Sequence, residues 1–287
     1  MHSCPTVKLP NHLNNETPIT LRDSRKDKVV VVVGATGAGK SRLSIDLATR
    51  FNGEVINSDK IQVYKGLDVI ANKVAADERR GVPHHLLGFV DPDDDFTADD
   101  FVRHASLAAA SIASRGRLPI VAGGSLSFVK ALALGRAGAC EFHFLWVDVA
   151  MRVLRTVLSR RVDKMVELGL VEEARGFYAP GGDYGRGIRR AVGVPELDEF
   201  FRTEAEGVAD DGSREELLAA AIDEIKANTH ELAYRQVEKI MRLPEDLGVE
   251  LLRLDATTVF EANNEDAAEE WKKVVLEPST KALSRFL

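Results

Sequence analysis

Short apolar runs are separated by amphipathic segments through the first half of the chain. Val29 to Val33 are five consecutive valines, and Leu118 to Ala122 and Phe142 to Val149 are also largely apolar. Runs of this length, rich in β-branched residues, are typical of strands buried on both faces of a parallel sheet. A further short run from Glu54 to Asn57 predicts another strand. The pattern therefore indicates an α/β fold.

The second half of the chain has a different pattern. From residue 151 to about residue 243 it is helical in period and rich in Arg, Glu, Leu and Ala, with a glycine-rich interruption at residues 181–187. This pattern predicts a smaller helical insertion that forms a lid. Leu251, Leu252 and Leu254 predict a last strand of the sheet, and the stretch to Leu287 predicts a closing helix.

These patterns divide the chain into four predicted regions. Residues 1–28 contain Pro5, Pro10 and Pro18 and little apolar periodicity, which indicates a mobile leader. Residues 29–150 form the α/β core, residues 151–243 the helical insertion, and residues 244–287 the return strand and closing helix of the core. The leader is basic, but its acidic residues make it a poor match to a transit peptide, so it is either part of one or a simple tail.

A glycine-rich loop follows the five valines and precedes an amphipathic segment. The sequence GATGAGKS matches the phosphate-binding pattern G-x-x-x-x-G-K-[ST] between a strand and a helix. Such a loop turns its backbone N–H groups inward, and the start of the next helix adds a positive dipole. Lys40 would neutralise a terminal phosphate, and the Ser41 hydroxyl would hold Mg²⁺. The residues predicted to contact a diphosphate or triphosphate are Gly34, Ala35, Gly37, Ala38, Gly39, Lys40 and Ser41.

Two polar residues near this loop are candidates for chemistry. Asp59 lies just after the predicted strand 54–57, and the carboxyl ends of parallel strands meet at one edge of a sheet. Asp59 therefore projects toward the loop as a general base or a metal ligand, or else it caps the segment that begins at Lys60. Thr36 lies inside the loop and directs its hydroxyl at the same pocket, or it serves only as a spacer.

Three further groups of residues are candidates for contacts. Gly123-Gly124-Ser125 ends a predicted strand at the same edge, where glycines let a backbone approach a ligand, although a plain turn has the same composition. Cations on the predicted helices, such as Arg161 and Arg190, either bind phosphate under a lid or form a solvated surface. The pair His84-His85 has no third ligand at metal spacing, which favours a structural role over a zinc site.

Composition narrows the set of partners. The chain has 287 residues and a net charge of −7, so no overall basic field favours nucleic acid. Its two cysteines cannot supply a disulfide framework or a Cys-x-x-Cys metal cluster, which favours a reducing compartment. No run approaches the roughly 18 to 20 apolar residues that a membrane span needs, so we expect a soluble protein without a membrane partner.

Seven motifs in register give the chain a family resemblance. They read GATGAGKS, NSDKIQVYKGLD, VPHHLLG, VAGGSLSFVKAL, RRVDKMVELG, GIRRAVGVPEL and ANTHELAYRQVEKI, and they span about residues 28 to 243. In this order they resemble the isopentenyltransferases that prenylate adenine, which include tRNA dimethylallyltransferases and the plant adenylate isopentenyltransferases of cytokinin synthesis. The resemblance implies a P-loop NTPase-like parallel sheet flanked by helices. It also implies transfer of a dimethylallyl group from its diphosphate to N6 of adenine.

The same resemblance implies roles for individual residues. The loop would hold the donor diphosphate with Lys40 and Mg²⁺, and Asp59 would accept a proton from N6. Thr36 would hydrogen-bond the oxygen that bridges carbon and phosphorus, and Arg161 matches a helix arginine that would clamp the diphosphate. The candidates for adenine or ribose contacts are Ser58, Gln62, Ser125 and Arg190, and those for the acceptor phosphates are Lys226, Asn228 and Arg235.

Departures from the tRNA-modifying members favour a small acceptor. The chain has GGSLSF where those enzymes usually show GGT-x-x-Y, has Val194-Pro195-Glu196 in place of a Tyr-Arg-Gln-like step, and lacks the cysteines of a zinc finger. We therefore predict that free AMP, ADP or ATP is the acceptor, with tRNA as the alternative. We also expect a monomer, located in the plastid by family resemblance or else in the cytoplasm.

Two functions from other classes are less favoured by these motifs. A P-loop small-molecule kinase would transfer phosphate from ATP, and it would give GGSLSF and VPHH no role. A non-catalytic nucleotide-binding protein would need neither Asp59 nor Thr36.

Overall fold

The computed structural model describes residues 26–207, 210–263 and 265–287, and within them the chain forms a six-stranded sheet. The strands are β1 (Asp27–Gly34), β2 (Gly53–Asn57), β3 (His84–His85), β4 (Leu118–Ala122), β5 (Cys140–Asp148) and β6 (Leu251–Asp255). Their order across the sheet is β3-β2-β4-β1-β5-β6, and every pair is parallel. The prediction of an α/β fold with a parallel sheet is confirmed.

Helices cover both faces of this sheet and build most of the second half of the chain. Short 3-10 helices at Gly187–Arg190 and Pro195–Leu197 and a π-helical turn at Lys272–Leu276 complete the set. The α-helices are α1 (Lys40–Phe51), α2 (Ala98–Ser114), α3 (Leu126–Arg136), α4 (Met151–Glu167), α5 (Leu170–Arg175), α6 (Asp198–Glu206), α7 (Asp211–Met241), α8 (Leu243–Leu247), α9 (Thr257–Glu261), α10 (Ala267–Trp271) and α11 (Glu277–Phe286).

The five consecutive valines lie at the centre of the sheet. Val30 and Val32 belong to the apolar cluster on one face, and Val29, Val31 and Val33 belong to the cluster on the other. Because side chains alternate along a strand, a strand with both faces covered needs an apolar residue at every position. Each of these valines is at most 2% exposed, which accounts for the uninterrupted run.

The helical half has an apolar core of its own. Phe200 and Phe201 of α6 and Ile225 of α7 pack in one cluster with Tyr64 and Leu67, which lie between β2 and β3. The segment between β2 and β3 therefore packs against the helical half, although it connects two strands of the sheet. The predicted division of the chain at residue 150 stays a prediction.

Local signals set several element boundaries. Thr97 caps α2 because its side chain accepts from the Asp100 amide while the Asp100 side chain accepts from the Thr97 amide, a capping box. The stretch predicted as a closing helix contains the short helix α9, a break at Ala262, and then a continuous helical run from Ala267 to Phe286, in which the π-helical turn separates α10 from α11. The strand β3 was not predicted, and most of the predicted leader, residues 1–25, lies outside the described residues.

Three neighbouring strands end at the same edge of the sheet. β1 pairs with β4, and β4 pairs with β2, so the segments that follow these three strands lie side by side. The chain moves to one side of β1 to form β2 and β3, and after β4 it crosses to the other side to form β5 and β6. Parallel α/β sheets bind ligands at the carboxyl edge where the direction of winding reverses. No helix in the described part of the chain has both the length and the apolar character of a membrane span.

Candidate active site

The glycine-rich loop after β1 has the backbone shape that its sequence predicts. Gly37 and Gly39 have φ angles of 79° and 103°, in the left-handed region that glycine adopts without strain. A Cβ on Gly34 would lie 2.5 Å from the backbone oxygen of Val147, so β5 passes too close for any side chain there. Gly39 is the N-cap of α1, and Lys40 and Ser41 form its first turn. The positive end of α1 therefore points into the loop.

Asp59 is held by the turn that follows β2. The Asn57 side chain shapes this turn, since its Oδ1 accepts from the Asp59 amide at 3.1 Å and its Nδ2 donates to the Leu86 carbonyl at 2.9 Å. The Oδ1 of Asp59 accepts from the backbone amides of Ile61 and Gln62. These amides hold one carboxylate oxygen, and within the described residues we find no hydrogen bond to the other. Asp59 therefore caps the segment that begins at Lys60, one of the two roles predicted for it, through one carboxylate oxygen only.

The turn after β4 packs directly on the turn that carries Asp59. A Cβ on Gly123 would lie 2.4 Å from the backbone carbon of Ser58, and only glycine permits this approach. The Ser125 hydroxyl accepts from the Lys60 amide at 2.9 Å. The residues Gly123-Gly124-Ser125 are therefore more than a plain turn, because they fix the position of the segment from Ser58 to Lys60.

A cavity of about 290 Å³ lies in front of the glycine-rich loop, and we call it the loop cavity. Thr36, Gly39, Lys40 and Ser41 line one part of it, and Asp59 lines another. The Lys40 ammonium group donates to the Ala35 carbonyl at 2.8 Å. Burial lowers the pKa of Lys40 to about 8, an effect that the charge of Asp59 opposes and that of Arg161 reinforces. The cavity thus holds cationic and backbone groups suited to an anion.

Arg161 reaches the loop from α4. Its Nη2 donates to the Thr36 hydroxyl oxygen at 3.0 Å, and its burial lowers the pKa of the guanidinium to about 10 while the charge of Asp59 raises it. The Thr36 hydroxyl accepts from Arg161, so its own hydrogen is available to a further acceptor in the cavity. The structure therefore brings Thr36, Lys40, Asp59 and Arg161 together, as the sequence predicts.

A second cavity of about 410 Å³ lies between the loop and the helices, and we call it the helix cavity. Thr36, Asp59 and Arg161 line both cavities, so the two spaces meet at these residues. Burial lowers the pKa of Lys60, and the nearby charges of Arg190 and Lys239 lower it further, against the effect of Asp59. Mutually repelling cations at one wall are typical of an anion site. The cations that line the helix cavity are Lys60, Arg161, Arg190, Arg235 and Lys239.

Gln236 of α7 joins the helix cavity to the loop, and sequence reasoning missed it. Its Oε1 accepts from the Thr36 amide at 2.7 Å, and its Nε2 donates to the Gly124 carbonyl at 3.1 Å. The side chain is buried, and a Cβ on Gly124 would lie 2.3 Å from its Nε2. Asn57, Lys60 and Lys239 were also missed, although all three lie within motifs that the resemblance uses.

The weaker sequence candidates fall into two groups. Ser125, Arg190 and Arg235 line the helix cavity, whereas Gln62 lines the loop cavity and donates to the Ala71 carbonyl. Ser58 is buried beneath Gly123 and lines neither cavity.

Lys226 and Asn228 lie away from both cavities. The Lys226 ammonium group pairs with Asp163 at 2.7 Å, and the Asn228 amide donates to Glu196 at 2.8 Å. Both side chains thus join α7 to other parts of the helical half. The structure does not bring them to the cavity that the other acceptor candidates line.

The oxygen donors in the loop cavity fit magnesium. In the part of the chain that the structure describes, no group of three or more His, Cys, Asp or Glu side chains is placed to hold a metal ion. Magnesium usually takes only one or two protein oxygens and completes its shell with substrate phosphates and water. Ser41 and Asp59 both line the cavity and supply a hydroxyl and a carboxylate. His84 and His85 have structural contacts instead, His85 with Glu54 at 2.6 Å.

Comparison with known proteins adds independent findings. The family profile described as IPP transferase matches residues 62–140 and 134–241. The chain is 54% identical over 271 residues to adenylate isopentenyltransferase 5, chloroplastic, of Arabidopsis thaliana, which covers 92% of this chain and 81% of that protein. It is 48% identical over 267 residues to adenylate isopentenyltransferase 7, mitochondrial, of the same plant, with 91% and 80% covered.

A solved structure has the same fold. A eukaryotic dimethylallyltransferase acting on tRNA matches with a TM-score of 0.74 and 24% identity, over 90% of this chain and 80% of that one. At this identity the likeness concerns the arrangement of strands and helices alone.

Proposed function

The chain belongs to the IPP transferase family, and we propose that it transfers a dimethylallyl group from dimethylallyl diphosphate to N6 of a free adenine nucleotide. The observation that carries this proposal is the meeting of two cavities at Thr36, Asp59 and Arg161. A transfer between two substrates needs two binding spaces that share the groups acting on the reacting atoms. The loop cavity takes the donor, and the helix cavity takes the acceptor.

The donor diphosphate binds at the loop. The backbone N–H groups of Gly37, Gly39, Lys40 and Ser41, the N-terminus of α1 and the Lys40 side chain present positive charge to the loop cavity, whereas the amides of Thr36 and Ala38 are engaged by Gln236 and Ala35. Departure of diphosphate leaves negative charge on oxygen, and fixed donors that need no reorganisation stabilise that charge. Magnesium bound through Ser41 would neutralise part of the diphosphate charge.

Thr36 and Arg161 act on the bond that breaks. The bond between the allylic carbon and the bridging oxygen of the diphosphate breaks, and the electron pair leaves with oxygen. The Thr36 hydroxyl donates its hydrogen to that bridging oxygen, because its own oxygen accepts from Arg161. The guanidinium polarises the hydroxyl and adds a positive charge beside the leaving group.

Asp59 acts on the bond that forms. The lone pair of the adenine amine is delocalised into the ring, so N6 is a poor nucleophile until a base accepts its proton. One carboxylate oxygen of Asp59 is held by backbone amides, while the carboxylate as a whole faces both cavities. Asp59 accepts the N6 proton as the nitrogen–carbon bond forms, and diphosphate departs from the opposite side of the carbon.

The helix cavity has the mixed lining that a nucleotide needs. Ile61, Ile70 and Val192 supply apolar surface for a purine, and the Ser125 hydroxyl is a polar neighbour. The cations of this cavity would bind the acceptor phosphates, and Arg190 and Lys239 lie close enough to Lys60 to lower its pKa. This set replaces Lys226 and Asn228 in the proposal, and it retains Arg235.

The two Arabidopsis thaliana relatives carry the name adenylate isopentenyltransferase, which supports AMP, ADP or ATP over tRNA as the acceptor. Their names also carry the words chloroplastic and mitochondrial, so we propose an organelle for this chain, with the plastid first. A monomer stays a prediction, which light scattering of the purified protein checks.

Product analysis tests the proposed function. The purified protein is incubated with labelled dimethylallyl diphosphate, Mg²⁺, AMP, ADP, ATP and bulk tRNA together, and the products are identified by mass. We expect the label on N6 of the free nucleotides, and we expect none from a parallel reaction with Lys40→Ala protein. Label found in RNA alone would identify the tRNA alternative, and ADP formed from ATP without any prenylated product would identify a kinase.

A further inference from the structure

A buried tryptophan packs against the back of the phosphate-binding loop. Trp271 ends α10, more than 200 residues after the loop in sequence, and its side chain is 2% exposed. A Cβ on Gly39 would lie 2.9 Å from two carbons of the indole ring. The other side of Gly39 lines the loop cavity, so the glycine lies between the ring and the space where phosphate binds.

The indole is fixed to the first turns of α1 by two further contacts. Its Nε1 donates to the Asp46 carboxylate at 2.9 Å, and the Arg42 guanidinium stacks over the ring, 4.4 Å from its centroid. Asp46 also pairs with Arg80 at 2.5 Å, from the segment between β2 and β3. Ring packing, a hydrogen bond to a charged acceptor and a cation–π contact thus converge on the helix that begins at the loop.

We propose that Trp271 is a positioning residue for the donor site, which fixes Gly39 and the start of α1 so that the loop amides and Ser41 face the donor diphosphate. Gly39 has a φ of 103°, and a glycine has the largest freedom to leave such a conformation. The ring is a rigid wall that removes this freedom. The inference rests on the proposed function, because it assigns the loop to the prenyl diphosphate.

This role goes beyond that of an ordinary core tryptophan. A ring that only filled the core would contribute to the free energy of unfolding and leave the affinity of the folded protein for its donor unchanged. A ring that packs on Gly39 lies next to a residue of the phosphate site, so we expect the charge of a bound phosphate to change the emission of the ring. Two readouts therefore separate the roles. One is the emission of Trp271 while pyrophosphate binds, and the other is whether KM changes for dimethylallyl diphosphate but not for ADP.

The fluorescence experiment uses the fact that the chain has two tryptophans. Trp146 lies on β5 beneath the Arg253 guanidinium, so the variant Trp146→Phe leaves Trp271 as the sole emitter. Inorganic pyrophosphate with Mg²⁺ is titrated into this variant while calorimetry measures binding in parallel. We expect a saturable change in emission with the same dissociation constant as the calorimetric one. Binding without any change in emission would overturn the inference and leave the proposed function intact, whereas absence of pyrophosphate binding would overturn both.

The kinetic experiment uses Trp271→Phe, with Trp146→Phe as the matched control. Phenylalanine retains a ring beside Gly39 but cannot donate to Asp46, and circular dichroism verifies that both variants are folded. We expect Trp271→Phe to raise KM for dimethylallyl diphosphate about fivefold, as expected for one lost hydrogen bond, with KM for ADP unchanged. We expect the control to retain both constants. An unchanged donor KM in Trp271→Phe, or an equal rise in both constants, would contradict the assignment.

Discussion

The loop cavity and the helix cavity meet at Asp59, yet they are built in different ways. The loop cavity is built around one continuous segment, where Gly37 and Gly39 adopt left-handed conformations before α1 begins, and Asp59 and Arg161 join it from other segments. The helix cavity depends on side chains from three separate segments, such as Lys60, Arg190 and Lys239. A backbone cradle recognises any diphosphate of the right size. Side chains from separate segments recognise one particular partner, and we infer that acceptor choice lies there.

Substitution of Asp59, where the two cavities meet, should have the largest effect on turnover. Asp59→Asn keeps the size of the side chain but removes the base, so we expect turnover to fall by about 10²- to 10⁴-fold. Donor binding should be retained, because the proposal assigns the diphosphate to the loop amides, Lys40 and magnesium on Ser41. Steady-state rates measure turnover, and calorimetry measures binding of the donor. Turnover of the Asn variant at the parental rate would show that Asp59 is not the base.

The pH dependence of the loop cavity should follow Lys40. Burial lowers the pKa of Lys40 to about 8, so the ammonium is charged below this pH and loses its proton as the pH rises through it. We expect kcat/KM for the donor to fall about tenfold between about pH 7 and about pH 9, because one titrating group with this pKa loses about that fraction of its charged form.

Lys40→Arg is the matched control for this pH profile. An arginine stays charged over the whole range, so the fall near pH 8 should disappear from the profile whatever the absolute rate of the variant. A fall that persists unchanged in Lys40→Arg would assign the titration to another group.

Lys239→Ala should affect the helix cavity alone. Loss of one cation should raise KM for ADP about tenfold, as expected for one charge-assisted contact, and leave KM for dimethylallyl diphosphate unchanged. Lys130→Ala is a suitable control, because Lys130 pairs with Asp246 on the surface. Equal rises of both constants in Lys239→Ala would mean that the two cavities do not divide the substrates as proposed.

Lys226→Ala should have the smallest effect. The structure engages this side chain with Asp163 in a partly exposed ion pair that does not line the helix cavity, so we expect both Michaelis constants to stay within about twofold of the parent. The hypothesis drawn from the sequence alone instead has Lys226 bind the acceptor phosphates. A clear rise in KM for ADP or ATP would favour that hypothesis and would require α7 to move when the acceptor binds.

The difference between the cavities also explains how much the sequence alone can predict. The loop and Asp59 are local features, because each lies at a fixed place directly after a buried strand. The longer strands are local features too, because short apolar runs mark them. Gln236 shows the opposite case. Its hydrogen bonds to Thr36 and Gly124 join segments more than 100 residues apart, and no local pattern marks them.

The choice among cations required the three-dimensional structure. Lys226 and Lys239 both lie on α7 and look alike in sequence, but helical geometry places Lys239 in the helix cavity and Lys226 beside Asp163. Trp271 is a further example, because the polar break after α9 conceals that α10 returns to the loop.

The most direct test of the central claim is a crossed binding measurement on two variants. Calorimetry measures the affinities of Lys40→Ala and Lys239→Ala for ADP and for an unreactive thio analogue of dimethylallyl diphosphate. The account predicts that Lys40→Ala loses affinity for the analogue and retains ADP, while Lys239→Ala loses affinity for ADP and retains the analogue. Loss of ADP binding in Lys40→Ala, with the analogue still bound, would place the nucleotide in the glycine-rich loop and contradict the account.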